Sequence, residues 1–241
     1  MEHKASFFRL LTPSIALFFV IPLLNIPPLF SPPAWGQTIA FRILLGFLVI
    51  FFAYYITKKN LSFFTQVIQR ISANKWPLIL LGFFFVLSLL ATLFSQEPSF
   101  SFWGDPYRSG GVFQMMLFAV FGLIAFVSLQ ADNWRKVWLT AIGAGFVIAL
   151  IAIAQQFHLF SNILVAIETR PPSTVGGALF LGTFLVLLSF PTLFYLIHTP
   201  SKRQKLFFSA VLALFILVIF LSGSRSAYIA IAHPCGLPKS C

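Results

Sequence analysis

"LFFSAVLALFILVIFLS" (residues 206–222) contains no charged residue, no glycine and no proline, and charges stand on both sides of it, at Lys202, Arg203, Lys205 and Arg225. As an α-helix these residues rise about 25 Å, close to the hydrocarbon thickness of a bilayer. A membrane β-strand would instead alternate apolar and polar residues over about ten positions. Here the apolar residues are continuous, so the stretch reads as a membrane-spanning helix. Six further predominantly apolar runs lie at roughly 13–30, 38–57, 76–95, 112–130, 137–157 and 178–198. Of the 241 residues, 59% are hydrophobic and 9% charged. A soluble domain carries about 25% charged residues, and this chain has too few to cover such an apolar surface. The fold class is all-α: a multi-span helical membrane protein of about seven transmembrane helices.

The net charge of +11 would point to nucleic acid in a soluble protein, but its distribution points to membrane topology. Lys4 and Arg9 precede the first run; Lys58, Lys59, Arg70 and Lys75 fall between the second and third; Arg135 and Lys136 between the fourth and fifth; and Lys202, Arg203 and Lys205 between the sixth and seventh. Eleven of the sixteen basic residues therefore lie on one side of the membrane, leaving Arg42, Arg108, Arg170, Arg225 and Lys239 on the other. Basic loops stay in the cytoplasm, so the amino terminus is expected inside and no nucleic-acid partner is expected. The first run resembles a signal peptide but lacks a small-x-small cleavage site, and reads as an uncleaved helix.

Smaller features fit the same reading. Trp35, Trp76, Trp103, Trp134 and Trp138 fall at or near span ends, where an indole keeps its ring in lipid and its N–H among headgroups. Leu61, Phe64, Ile68 and Ile71 recur at helical spacing, predicting an amphipathic helix on the cytoplasmic surface within 58–75. Pro22, Pro27 and Pro28 are expected to kink the first helix or end it early.

Candidate chemistry is sparse. All five acidic residues, Glu2, Glu97, Asp105, Asp132 and Glu168, lie outside the apolar runs, which argues against an ion-coupled pump. Glu97 and Asp105 share one loop, where carboxylates are ordinarily solvated. His3, His158, His198 and His233 are scattered, and Cys235 and Cys241 have no histidine at zinc-site spacing, so no metal is expected; the two cysteines could join in a disulfide if exported. Neither a phosphate-cradling loop nor a nucleotide-binding turn is present, and no cofactor is expected. What remains is three arginines on the non-cytoplasmic side, Arg108, Arg170 and Arg225, each near the end of an apolar run and each accompanied by glycine: Gly110 and Gly111, Gly176 and Gly177, and Gly223. A guanidinium grips phosphate oxygens in pairs, and glycine allows close backbone approach. Ordinary snorkelling at the interface would place arginines there too.

Three motifs sharpen the reading. "WGDPYRSGGVF" (103–113) resembles the W-G-x-x-x-R-x-x-G pattern of the O-antigen ligase and polymerase-like membrane family. "ETRPPSTVGGALFLGTFL" (168–185) is similar to that family's R-x-x-S-T-x-G segment, and "LSGSRSAYIAIA" (221–232) to its S-R-x-A signature. The resemblance implies a GT-C-like glycosyltransferase of the bacterial inner membrane. Its substrate would be a glycan carried on undecaprenyl pyrophosphate, transferred at the outer face to a hydroxyl of a lipid-anchored acceptor or growing glycan, in lipopolysaccharide or other surface-polysaccharide assembly. The acceptor hydroxyl would attack the anomeric carbon as the lipid pyrophosphate leaves. Arg170 and Arg225 match the arginines expected to bind that pyrophosphate, and Arg108 matches a positioning arginine. Besides the polyprenyl-pyrophosphate-linked glycan, the expected partner is membrane lipid.

The chain departs from the family in two places. The stretch after S-T-x-G reads "GGALF" where an asparagine is common. After Ala232 the apolar pattern gives way to "HPCGLPKSC", where the family continues into further spans and an external loop with a catalytic histidine. The expectation is a polytopic domain over 1–232, the front portion of the ligase-like fold, followed by an aberrant polar tail at 233–241, with transfer by this chain incomplete. A flippase-like or facilitating transporter and a non-functional remnant are the alternative readings.

Overall fold

The computed structural model describes residues 11–24, 33–58, 75–105, 110–129, 131–157, 159, 171 and 173–224. Among them every regular element is helical. Residues 11–18 are helical (α1) and are followed by a 3-10 turn at Ile21–Leu23. Then come α2 (Pro33–Lys58), α3 (Lys75–Leu93), α4 (Pro98–Trp103), α5 (Val112–Ser128), α6 (Ala131–Gln156), α7 (Ala178–His198) and α8 (Lys202–Ser222). Five of these hold segments long and apolar enough to cross a bilayer: Gly36–Tyr54, Lys75–Leu93, Asn133–Gln156, Ala178–His198 and Lys202–Ser222. The apolar helix Val112–Ser128 is shorter. The protein is a multi-span helical membrane protein.

The helices follow the apolar runs closely, and the differences have local causes. α1 ends at Phe18 and Pro22 lies in the 3-10 turn, so the first helix does end early, as an interior proline without an N–H dictates. α2 begins at Pro33, ahead of its apolar run, because a proline's fixed φ suits the first helical turn. α6 extends back to Ala131, adding a polar turn that carries Arg135 and Lys136. The short α4 between α3 and α5 has no counterpart in the apolar pattern. Pro98 opens it, and the N–H of Gly104 closes it on the Phe100 carbonyl at 2.7 Å. The amphipathic helix expected within 58–75 and the tail at 233–241 lie outside the described residues, apart from the helical ends at Lys58 and Lys75.

The chain forms two compact units: residues 1–18 with 34–134, and residues 19–33 with 135–241. In the first unit, aromatic rings hold α1, α2 and α5 together. Phe18 meets Phe41 edge-on at 5.4 Å and Phe121 at 4.4 Å, and Phe41 meets Phe118 at 4.8 Å. Such edge-to-face pairs are favoured by the ring quadrupole. α3 packs against α4 and α5 but keeps nearly all of its side chains exposed, Thr92 excepted.

In the second unit α7 and α8 form an antiparallel hairpin through 199–201 and pack against α6. The core joins Ile148, Ala149 and Ala152 of α6, Leu181, Leu185 and Leu188 of α7, and Val211, Phe215 and Ile219 of α8, all buried. Within lipid the hydrophobic effect does not drive helices together, so close van der Waals fit must do so. Gly145 supplies it: a Cβ there would collide with Leu188 and would come within 3.2 Å of the Phe215 ring.

Candidate functional site

Polar groups gather where α6 ends, α7 begins and α8 ends, at one end of the second unit. The chain enters α7 through a turn at 173–176. Ser173 has φ 50°, in the left-handed region, a conformation that a serine holds only when its surroundings enforce it. Two hydrogen bonds to α6 do so. Its N–H donates to Oε1 of Gln155 at 2.7 Å, and its hydroxyl donates to the Ile148 carbonyl at 2.8 Å. Ser173, Thr174 and Gln155 are all buried. Gly176 follows at φ 88°, and the Gly177 carbonyl accepts the Leu181 N–H at 3.0 Å to start α7.

α8 ends at this same end of the unit. The Ser222 hydroxyl donates back to the Ile219 carbonyl at 2.7 Å. Gly223 stands in the left-handed conformation at φ 63° and its N–H donates to Phe220 O at 3.1 Å, a glycine helix stop. Ser224 beyond it is buried. Arg170 and Arg225 themselves lie outside the described residues. Arg170 is three positions before Ser173, and Arg225 directly follows Ser224.

The remaining motif arginine, Arg108, belongs to the first unit and is also outside the described residues. Its flanks are described. Phe100, Ser101, Gly104, Asp105, Gly110 and Gly111 line an open recess of about 390 Å³. Gly104, at φ 79°, and Gly111 bring two backbone segments together: a Cβ on Gly104 would strike the N–H groups of Gly110 and Gly111, and one on Gly111 would strike the Phe102 carbonyl. Gly111 thus stands close against another backbone segment, while a Cβ on Gly110 would meet open space. Glu97 precedes α4 and Asp105 follows it, so the two loop carboxylates stand at opposite ends of that short helix.

Two amides escaped the sequence reading, and Arg42 entered it only as a basic residue of the non-cytoplasmic side. Gln114 and Gln155 sit at the ends of apolar runs and are buried. A buried amide inside a membrane helix is the signal that could have singled them out, since it must find a partner there. Arg42 lies within the span Gly36–Tyr54 and its Nε donates to Gln114 Oε1 at 3.1 Å. Among the described residues no three His, Cys, Asp or Glu side chains gather to hold a metal ion. His198 bonds the Phe194 carbonyl through Nδ1 at 2.9 Å and stacks on the Phe194 ring.

No protein-family model, no curated protein and no solved structure matches the chain.

Proposed function

We propose that this protein binds a polyprenyl-pyrophosphate-linked glycan and serves in its transfer to an acceptor hydroxyl, in the manner of the O-antigen ligase and polymerase-like proteins its motifs resemble. The observation that carries the reading is the build of the second unit's polar end. The S-T-x-G turn is pinned to α6 by Ser173 and Gln155, and a left-handed glycine cap ends α8 one residue before the serine that precedes Arg225. Fixed backbone on both sides of an apolar bundle end is what a pair of arginines needs in order to hold a pyrophosphate in one geometry. Arg170 and Arg225 then stabilise the charge that builds on the leaving pyrophosphate as its bond to the anomeric carbon breaks. Arg108, whose flanking residues line the recess of the first unit, has a positioning role. In this reading the membrane is the bacterial inner membrane, as the resemblance implies, with the amino terminus in the cytoplasm and the polar end of the second unit outward, which the distribution of basic residues supports.

Binding tests this directly. Purified protein in micelles is titrated with undecaprenyl pyrophosphate, and Arg170→Gln and Arg225→Lys each weaken binding tenfold or more. Lysine keeps the charge but lacks the paired fork. Wild-type affinity in both variants, at normal protein yield, overturns the pyrophosphate role and leaves a transporter as the better reading.

A further inference from the structure

Arg42 is a charge inside a membrane span, six residues from its start at Gly36, or about 9 Å along the helix axis. A charge at that depth is costly unless it reaches the interface or meets an anion. Its partners among the described residues are neutral. Nε donates to Gln114 at 3.1 Å, and the guanidinium carbon lies 5.6 Å from the centre of the Phe113 ring. Gln114 is itself only 6% exposed, so the acceptor that orients the guanidinium is held by packing. Phe113 is held in turn by Trp103, ring to ring at 5.1 Å. No carboxylate among the described residues pairs with Arg42. Of the five guanidinium N–H donors, the Gln114 bond takes the one on Nε, and the four on the two Nη atoms form the fork that matches two phosphate oxygens.

The neighbouring face of α2 says where the phosphate comes from. Ile43, Phe47, Ile50 and Tyr54 are all exposed and recur at helical spacing on one stripe. That stripe starts beside Arg42 and runs toward the opposite end of the span, as an acyl chain does below its headgroup. Free phosphate has no use for it.

We infer that Arg42, oriented by Gln114 and Phe113, binds the phosphate of a membrane phospholipid whose acyl chain lies along Ile43, Phe47 and Ile50. This site belongs to the first unit and does not depend on the glycan-transfer reading. Native mass spectrometry of the purified chain in micelles, with dioleoyl phosphatidylglycerol as probe and dioleoylglycerol as the phosphate-free control, tests it. Arg42→Gln is expected to lower phosphatidylglycerol retention at least fivefold and to leave dioleoylglycerol unchanged. Gln114→Leu keeps the charge but frees it, and is expected to lower retention at least twofold. Arg42→Lys keeps a charge in the helix and tests the fork even where the neutral variant does not accumulate; retention falls there too. Unchanged phosphatidylglycerol retention in Arg42→Gln, or in Arg42→Lys where the neutral variant fails, overturns the site. Loss of retained lipid on adding millimolar inorganic phosphate overturns the lipid as the source.

Discussion

The backbone N–H of Ser173 donates to the side-chain oxygen of Gln155 at 2.7 Å, across 18 residues of sequence and away from solvent. The bond ties the turn before α7 to the last turn of α6. It does so at a residue whose left-handed φ of 50° has an intrinsic cost, of order 1–3 kcal/mol.

Gln155→Leu removes the acceptor and leaves a buried N–H unsatisfied, a loss of about 1–3 kcal/mol. The thermal midpoint of the purified protein in micelles falls accordingly. Gln155→Asn, too short to reach Ser173, falls with it. A midpoint equal to wild type in both variants would show that the turn does not depend on this bond.

Gly145 should tolerate little. Valine there forces Leu188 and Phe215 aside in a core that has no free surface at either residue, and overpacking of this kind costs about 1–3 kcal/mol. Alanine costs less, because its better helix propensity, about 1 kcal/mol, offsets part of the clash. Pairing Gly145→Val with Leu188→Ala recovers part of the midpoint, since the two changes act on the same contact. Strict additivity in that pair would refute the contact.

The glycines around Arg108 divide into two classes. Gly104→Ala and Gly111→Ala meet backbone atoms, which cannot swing away as a side chain can, and Gly104 also has a positive φ. Each is expected to destabilise the segment by about 1–3 kcal/mol. Gly110→Ala has open space and is silent. Limited proteolysis and melting midpoints of the three variants give the order, and equal behaviour of all three would contradict the close approach.

Gly110 and Ser201 are both exposed, and the proposed arrangement of spans puts them on opposite sides of the membrane. In a chain with Cys235 and Cys241 changed to serine, Gly110→Cys reacts with a membrane-impermeant maleimide in spheroplasts. Ser201→Cys reacts only after permeabilisation. The reverse pattern inverts the proposed orientation, and labelling of both from one side removes the proposed arrangement of spans.

Much of the fold was legible in the chain. The run at 178–198 and the helix Ala178–His198 coincide, and the other helices follow their runs to within a few residues or a short polar extension, except the first, which ends at Phe18. Two of their ends carry residues suited to the place: Pro33 opens α2, and Gly223 stops α8. The short α4 was not legible, because six residues are too few to establish a helical period. At the candidate site the glycines beside the arginines announced themselves, and Gly111, Gly176 and Gly223 have the close contact or positive φ that motif glycines imply. Gln155 and Gln114 did not announce themselves. Each looks like an unremarkable polar residue at the end of a span.

The division has a physical reason. In a bilayer each helix must satisfy its own backbone hydrogen bonds, so local composition alone determines where this chain spans, where its helices stop and which loops carry charge. Which buried side chain meets which is a property of helices that are distant in sequence. Gln114 reaches an arginine 72 residues away, Gln155 waits for a turn beyond the end of its own helix, and Gly145 is small because Leu188 and Phe215 come to it. Only the packed structure decided those pairs.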